Sequence, residues 1–423
     1  MNVKNKKFAV IVDAYSTGGD YVSAFKDFGV SLVHIQSRKD LAPYMLNSFK
    51  DEGFVENILY QGNIYDTSSR LKKYNPVCII PGAETGVSLS DQLNCILNLN
   101  CNLASKSSCR RNKFEMIEAL QKECLVTPMQ YVSDNQVDIL GWVNVNNLWP
   151  CVMKPVDSAG SDNVGLCKTK DDLLQSFKNI TNSKNICGQK NKYALCQELI
   201  EGTEYSINTV SYNGDAYVTD ILKYKKIFVN NSNFVYDYAE LIPFEGKKQK
   251  QLINYTKSML NALGIRYGAA HSEVYLTKNG PVGIEVAARA IGAHIPLLLK
   301  NSIEYNQVFL TVDAYCGGSI FNKIINNPYK MLQHTRLVWL ISKKAGVLKN
   351  HDGFKELQKL RSFASITPYV QPNQNIYKTI NLLTSPGMVV LSHFDNNIIE
   401  EDYLTLREME DNEFYLLNND SLQ

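Results

Sequence analysis

The feature that most restricts the fold is a predicted β-hairpin that carries two glutamates. Residues 267–295 have the sequence YGAAHSEVYLTKNGPVGIEVAARAIGAHI. An apolar-alternating strand, Ala270 to Thr277, leads into Lys278-Asn279-Gly280, and a second strand, Pro281 to Ala287, returns. Arg289 and the Gly292-Ala293-His294 run follow directly and add anion-binding potential. The exit of this hairpin is therefore a candidate site.

The register of the hairpin decides what its glutamates can do. A three-residue loop with Gly280 in the left-handed conformation gives the cross-strand pairs 277/281, 275/283 and 273/285. Glu273 and Glu285 would then face each other with Cβ atoms roughly 5 Å apart, a repulsion that Mg²⁺ between them would remove. A two-residue Asn279-Gly280 turn would instead pair Glu273 with Val286, and two solvated carboxylates are the alternative.

Size and composition describe an ordinary globular protein of several domains. A chain of 423 residues predicts two or three domains, and a net charge of +2 gives no support for nucleic-acid or membrane-surface partners. Ten scattered cysteines without a CxxC pair suggest reduced thiols rather than a disulfide framework or a zinc site. No signal-peptide core or membrane-spanning apolar run is present, so we expect a cytoplasmic protein.

Residues 8–100 alternate strands and helices, which predicts a βαβ pattern and a parallel sheet. The loop Ser16-Thr17-Gly18-Gly19 lies where such folds bind phosphates, but it matches no phosphate-binding motif, and a plain tight turn is favoured. Glu84 follows a strand's carboxyl end, where ligands bind. It is a weak candidate for contacting a substrate amine, and an acid at a helix N-terminus is the favoured alternative.

A helix is predicted over residues 105–124, with Ser107 or Ser108 as N-cap. Arg110, Arg111 and Lys113 would crowd its first turn, where positive charge opposes the helix dipole. We infer either an anion nearby or a solvated basic helix end.

A strand lysine precedes a small, polar loop further along the chain. Lys154 ends a predicted strand that starts at Cys151, and the Gly/Ser loop 157–163 follows before a second strand, Val164 to Cys167. Such a loop can lay backbone N–H groups and hydroxyls over phosphates, and the lysine supplies a point charge for them.

The stretch QELIEGTEYS (197–206) follows a predicted strand, Tyr193 to Gln197, and could line an adenine with backbone groups. Glu204 is then a candidate for two ribose hydroxyls, while an ordinary antiparallel sheet is the alternative. Beyond it we predict a hairpin around Asn213-Gly214, a helix from Lys247 to Leu263, and a last α+β segment over residues 335–423.

Together, RRNK (110–113), KPVDSAGSDNV (154–164), QELIEGTEYS and HSEV…IEVAARAIG (271–292) resemble the ATP-grasp superfamily of carboxylate–amine ligases. Within it the L-amino acid ligases, which make dipeptides, are the nearest group. The resemblance implies an α/β and α+β fold in three parts. These are a Rossmann-like domain (1–104), a split ATP-grasp domain (105–330) with a lid at about 131–202, and a C-terminal α+β subdomain (331–423).

The resemblance also assigns roles residue by residue. It implies that Lys113, Lys154, Ser158, Gly160 and Ser161 bind phosphates, that Gln197, Glu198, Leu199 and Ile200 line the adenine, and that Glu204 binds the ribose. Glu273 and Glu285 would hold Mg²⁺, or Mn²⁺ in its place. Arg289 would stabilise the transferring phosphoryl group, with Gly292 opening space behind it, and His271 and His294 are candidates for the amino-acid pocket. Ala287 departs from the family, in which many members have a metal-binding Asn.

The implied chemistry is phosphorylation of a carboxylate by ATP, followed by attack of an amine on the acyl phosphate. The favoured function is ligation of two amino acids, or of an amino acid and a small acid. The alternatives are an ATP-grasp carboxylase or nucleotide-precursor ligase, and a pseudoligase or regulator without turnover, which Ala287 suggests. The family suggests small-molecule substrates and a homodimer; the sequence names neither substrate.

Overall fold

The computed structural model of the protein describes residues 6–160, 162–229, 234–412 and 414–418. The N-terminal part is a parallel sheet of four strands in the order β3-β2-β1-β4, which confirms the predicted sheet. Its elements are β1 (Lys7–Val12), α1 (Thr17–Asp27), β2 (Val30–Gln36), α2 (Pro43–Leu46), β3 (Phe54–Leu59), α3 (Ile64–Lys72), β4 (Ile79–Pro81) and α4 (Val87–Ile96).

Alternate residues of the central strand β1 enter two different cores. Val10 and Val12 pack with residues of α3 and α4, whereas Ala9 and Ile11 pack with residues of α1 on the other face. Successive side chains of a strand point to opposite faces, so an unbroken apolar run such as FAVIV is buried on both sides. The sheet is therefore the middle of three layers.

The helix predicted over residues 105–124 begins later than expected. Two 3-10 turns, Ala104–Lys106 and Ser108–Arg110, precede α5, which spans Lys113–Lys122. Its N-cap is Asn112, whose side chain accepts hydrogen bonds from the backbone amides of Phe114 and Glu115. The prediction of Ser107 or Ser108 was therefore wrong. Asn112 has an extended backbone and an amide oxygen suited to capping. Arg110 and Arg111 therefore precede the helix, whereas Lys113 is its first residue and lies at the positive end of its dipole.

Residues 130–198 contain a separate antiparallel sheet of order β5-β8-β6-β7. Its core consists of apolar residues from this region alone, among them Ile139, Met153 and Leu173. We call this unit the lid. Its elements are β5 (Gln130–Ser133), α6 (Gln136–Val145), β6 (Cys151–Pro155), β7 (Gly165–Cys167), α7 (Lys170–Thr181) and β8 (Ala194–Glu198).

The largest sheet has eight strands in the order β13-β12-β9-β10-β11-β14-β18-β16. The main hydrophobic core lies between this sheet and helices that include α5 and α8. The elements between residues 203 and 324 are β9 (Thr203–Tyr212), β10 (Asp215–Phe228), β11 (Phe234–Leu241), α8 (Lys247–Ala262), β12 (Gly268–Thr277), β13 (Gly280–Ala287), α9 (Ile295–Leu298), α10 (Gln307–Cys316) and α11 (Phe321–Ile324).

Three C-terminal strands extend this same sheet rather than forming a sheet of their own. β14 pairs with β11, and β18 and β16 follow it outward. A small sheet of order β17-β15-β19 lies beside them. The C-terminal elements are β14 (His334–Trp339), β15 (Gly346–Leu348), α12 (Asp352–Glu356), β16 (Phe363–Pro368), β17 (Asn375–Ile376), β18 (Gly387–His393), α13 (Asn396–Asp411) and β19 (Leu417–Asn418). None of the helices in the described ranges is long and apolar enough to cross a bilayer.

The hairpin of β12 and β13 differs from both predicted registers yet brings the glutamates together. Thr277 pairs with Gly280, so the loop has two residues, and the predicted pairs 277/281 and 275/283 are wrong. A bulge at Ile284 then shifts the ladder by one residue, and Glu273 pairs with Glu285, as expected. Without this extra residue Glu285 would lie opposite Ser272, on the other face of the sheet.

Candidate active site

Two carboxylates and a lysine form the centre of the candidate site. Glu273 and Glu285 are directly opposed on β12 and β13, with side chains that are 31% and 22% exposed. Lys113, the first residue of α5, donates from Nζ to Oε1 of Glu285 at 2.7 Å. The same Nζ donates to the carbonyl oxygen of Ser158 at 2.7 Å. One cation thus connects the acidic pair to the loop after β6.

Lys154 lies beside this group without being paired. It is only 5% exposed, and its Nζ makes no hydrogen bond or ion pair within the described ranges. Burial lowers the pKa of Lys154 to about 8, although Glu285 and Glu273 act in the opposite direction. A buried cation without a partner is costly, so this ammonium group is suited to an anion that enters the site.

A chain of buried polar groups orients His271. Asn208 donates from Nδ2 to Asp220 at 2.6 Å, so its Oδ1 is left to accept from Nδ1 of His271 at 2.8 Å. This fixes a hydrogen on Nδ1 and turns Nε2 toward Glu273, 3.4 Å away. Although burial alone would raise it, the hydrogen bond and charge of His271 lower the pKa of Glu273. The carboxylate is held in its ionised form.

The loop after β6 is braced from one side. Ser158 donates from Oγ to Asp162 at 2.7 Å, and Asp162 also accepts from the backbone amide of Ile186 at 2.9 Å. Gly160 has a φ of +64°, a conformation that favours glycine. Ser161, the third residue expected in this loop, lies outside the described residues. The segment before β8, which contains Ile186, thus supports the loop.

Glu84 is buried between two arginines. Its Oε1 lies 2.5 Å from Nη1 of Arg111, and its Oε2 accepts from Nε of Arg289 at 2.8 Å. Arg111 also contacts Asp157 in the loop after β6. Burial alone would raise the pKa of Glu84, but the two guanidinium groups lower it. Glu84 therefore positions Arg289, and the inferred anion near Arg111 is this protein carboxylate.

Gly292 and His294 lie in a strained loop that the N-terminal part of the chain holds. Ala293 and His294 both have a φ of 56°, the left-handed region. Their backbone amides donate to Ser16 Oγ at 3.2 Å and Thr17 Oγ1 at 2.9 Å. The His294 ring contacts Asp20 at 2.8 Å, and this contact raises its pKa. Ser16 and Thr17, which the sequence marked as a plain turn, therefore clamp the loop after Arg289.

The expected adenine segment runs from the end of β8, the last strand of the lid, into the chain that follows it. Gln197 donates from Nε2 to Gln130, and Glu198 bonds both its backbone and its carboxylate to Met129. Within the described ranges no hydrogen bond is made by the backbone of Leu199 or Ile200. Free backbone donors and acceptors next to a strand end can bind the edge of a flat base.

Glu204 already has partners. It is 5% exposed and accepts from the hydroxyls of Tyr236 at 2.9 Å and Tyr275 at 2.6 Å. Lys226 is ion-paired with it. The sequence did not mark this lysine. Residues 223–226 are KYKK, and only the alternation of side chains along β10 shows which lysine points inward. A ribose that binds Glu204 would have to share this carboxylate with Lys226 or displace the lysine.

Part of the sequence matches a known protein family. The profile of the ATP-grasp domain family matches residues 148–296. These residues contain Lys154, the adenine segment, both glutamates and Arg289. The chain has an ATP-grasp fold.

The ATP-grasp match extends to whole proteins. Dapdiamide A synthase of Enterobacter agglomerans is 28% identical, with 98% of each chain covered. The crystal structure of L-amino acid ligase from Bacillus licheniformis superposes with a TM-score of 0.74 at 18% identity, over 96% of this chain and 98% of that one. The structure of N5-carboxyaminoimidazole synthetase from Staphylococcus aureus, solved with ADP, superposes with a TM-score of 0.67 at 14% identity, over 96% of this chain and 99% of that one. The predicted ATP-grasp fold is therefore confirmed.

The departure at Ala287 also has a structural description. Ala287 pairs with His271 at the end of the hairpin and is buried. It offers no metal ligand, and the described residues contain no group of three or more His, Cys, Asp or Glu arranged to hold a metal. A metal here would need oxygen ligands from outside the protein in addition to the glutamate pair.

Proposed function

We propose that the chain is an ATP-dependent carboxylate–amine ligase that joins two L-amino acids, or an amino acid and a small acid, through an acyl phosphate. The observation that carries this is the opposed pair Glu273 and Glu285, with Lys113 bonded to the pair and Lys154 buried beside it. Dapdiamide A synthase, which matches over nearly the full length of both chains, favours an amide-forming ligase over a carboxylase.

The residues present fit ATP with Mg²⁺. The unpaired backbone at Leu199 and Ile200 suits the base, and the unpaired ammonium of Lys154 suits a phosphate. Mg²⁺ prefers oxygen ligands and keeps several waters, so two glutamates with phosphate oxygens are enough to hold it. When bound, MgATP supplies the phosphoryl group that activates the acid.

The protein's own residues position and neutralise charge in this proposal. Lys113 and Lys154 bind phosphate oxygens, and the loop of Ser158 and Gly160 covers them and excludes water. Arg289, aligned by Glu84, stabilises the negative charge on the group in transfer. His271, His294 and Gly292 border the space for the amino acid, and Glu84 is a weaker candidate for contacting its amine.

An ADP-release screen over pairs of amino acids tests the proposal. We expect ADP and phosphate only when a suitable acid and amine are both present, with a new amide detected by mass spectrometry. Replacing Glu285 by alanine should lower the rate by at least about 100-fold, because the metal loses one of its two protein ligands.

Glu304→Ala is the matched control, since Glu304 is an exposed glutamate outside the site. It should leave the rate within about twofold of the native enzyme. Tight binding of MgATP with no ADP from any pair would instead favour the pseudoligase, and ADP release that depends on bicarbonate would favour the carboxylase.

A further inference from the structure

A cavity of about 220 Å³ lies at the carboxyl edge of the N-terminal sheet. Its lining includes Arg38 after β2, Tyr60 after β3 and Thr85 after β4. Ligands of open α/β sheets bind outside the carboxyl ends of the strands, which is where this cavity lies. Its opposite wall includes Asp157, in the loop after β6, and Gln189, in the segment before β8.

The cavity adjoins the candidate reaction centre. Arg111 lines it and is ion-paired with Glu84, and Glu84 in turn holds Arg289. A substrate whose carboxylate reacts near Arg289 could therefore extend its far end past Arg111 into this space. An occupant would touch both the N-terminal sheet and the lid.

The lining is polar and rich in hydrogen-bond donors. Ser88 and Gln92 are four residues apart, so they share one face of α4 and turn it toward the cavity, and Thr85 lies just before the helix. Leu89 is the one aliphatic residue in the lining among the described residues. An apolar occupant would strip water from these groups without replacing its hydrogen bonds.

Arg38 is the least neutralised charge of the cavity. Arg111 is paired with Glu84 and Asp157, and Asp13 behind the wall already accepts from Ser37 and Thr85. The nearest carboxylate to Arg38 is Asp40, at 3.5 Å, and that side chain is 67% exposed.

The guanidinium of Arg38 also lacks acceptors. With the amide of Gln189 in the orientation that satisfies its neighbours, Nη1 of Arg38 donates to it at 3.0 Å. Its Nε and Nη2 are buried and have no hydrogen-bond acceptor in the part of the chain that the structure describes. Both atoms are closed to solvent as the side chain lies, so a planar acceptor group of a ligand would pair with them after a turn of the guanidinium toward the cavity.

We propose that this cavity binds the far end of the acid substrate, and that this end carries a carboxylate or a carboxamide. The inference rests on the proposed ligase function and names its acid substrate as a polar, acceptor-bearing one. Arg38 is its specificity determinant, with Gln92 on the facing helix as a second contact.

Calorimetric binding of isosteric amino acids, in the presence of ADP and Mg²⁺, tests the cavity without requiring turnover. The probes are L-aspartate, L-asparagine and L-leucine, then L-glutamate, L-glutamine and L-homoleucine. We expect the polar members of one trio to bind at least about 10-fold tighter than the apolar one, as is usual for hydrogen bonds to a charged group. Preference for the acid over the amide, or the reverse, identifies the end group.

Two variants and a control locate the effect. Arg38→Met and Gln92→Leu should each weaken the preferred polar probe while leaving the apolar isostere within twofold. Lys39→Met, an exposed neighbour of Arg38, should change neither. Gln92 is exposed on its helix, so its variant tests the cavity without disturbing a buried contact.

The proposal is overturned if the apolar member binds best, if none of the six probes binds, or if Arg38→Met weakens all members of a trio equally. These results differ from a failure of the ligase. No ADP from any substrate pair, with Arg38-dependent binding intact, would reject catalysis and keep the cavity. ADP release with apolar acids that is unchanged in Arg38→Met would support the ligase and reject the cavity.

Discussion

One buried histidine contributes to the pH dependence of the stability of this protein. His34 is 2% exposed, stacks on Phe49 with ring centres 4.3 Å apart, and its Nε2 has no hydrogen-bond partner among the described residues. Burial lowers its pKa from 6.5 to about 4. The folded state therefore keeps His34 neutral at pH values where the unfolded chain already binds a proton.

We expect the free energy of unfolding to fall as pH decreases from about 6.5 to about 4, by about 3 kcal/mol from this residue. Above pH 6.5 the histidine is neutral in both states and contributes no slope. His34→Phe should remove this part of the slope, whereas His393→Phe, at a partly exposed strand end, should keep it. Urea unfolding at several pH values measures both. An unchanged slope in His34→Phe would contradict the assignment.

Residue types alone identified several members of the site but not their partners. Lys113 and Glu285 are 172 residues apart in the chain and 2.7 Å apart in space. Glu84 was marked as a possible substrate contact, and the structure places two arginines around it. Charge pairing of this kind depends on packing between distant elements, which no local pattern encodes.

At the scale of elements, the loop after Arg289 is held by the start of α1. Two non-glycine residues in the left-handed region, Ala293 and His294, cost about 1–3 kcal/mol each and persist only when surroundings hold them. A Cβ at Gly18 would lie 2.5 Å from the carbonyl oxygen of Gly82, so this glycine lets α1 approach closely enough for the clamp. The loop Ser16-Thr17-Gly18-Gly19 thus positions the loop after Arg289.

Thr17→Val tests the clamp, because valine keeps the shape but cannot accept from the amide of His294. We expect a loss of about 1–3 kcal/mol in stability and a roughly 10-fold lower kcat/KM, as Arg289 loses its support. Thr405→Val, on the exposed face of α13, should cost under about 0.5 kcal/mol and leave the rate unchanged. Equal effects of the two variants on unfolding and on ADP release would argue against the clamp.

The hairpin shows how far pattern reasoning reaches for an element. Alternation and Gly280 predicted two strands and the facing glutamates, and this was confirmed. The loop length was wrong, and the bulge at Ile284 compensated for it. The start of α5 was predicted wrongly because Ser107, Ser108 and Asn112 are all acceptable N-caps locally. The buried contact of Arg110 with Asp91, which the local sequence does not encode, favours Asn112.

At the scale of the whole molecule, the C-terminal helix packs Ile399, Tyr403 and Leu406 on the central sheet and also forms a buried ion pair with it. Asp237 on β11 is 1% exposed and accepts from Arg407 of α13 at 2.6 Å and from the hydroxyl of Tyr403 at 2.7 Å. Together with β14 and β18 in the same sheet, this contact makes the last ninety or so residues part of the central unit. We expect the two to unfold together.

Arg407→Met should cost about 3–5 kcal/mol, because it removes the closer cation of the buried Asp237 and leaves only Lys225, 3.4 Å away. Lys343→Met removes an exposed ion pair with Asp411 and should cost no more than about 1 kcal/mol. Denaturant midpoints of the full chain measure both, and a single transition is expected throughout. Two separate transitions, or a small loss in Arg407→Met, would show that the C-terminal segment is independent.

The sequence by itself determined most element types and the ATP-grasp fold, and it marked residue types suited to nucleotide and metal. Short-range periodicity, turn residues and motif spacing carry that information, because they depend on neighbours along the chain. Only the tertiary structure decided that the C-terminal strands extend the central sheet, that Glu84 and Lys226 are occupied by protein partners, and that Arg38 borders a cavity. Those outcomes depend on which surfaces are buried against each other and which charges are left to pair, and these are properties of the packed molecule.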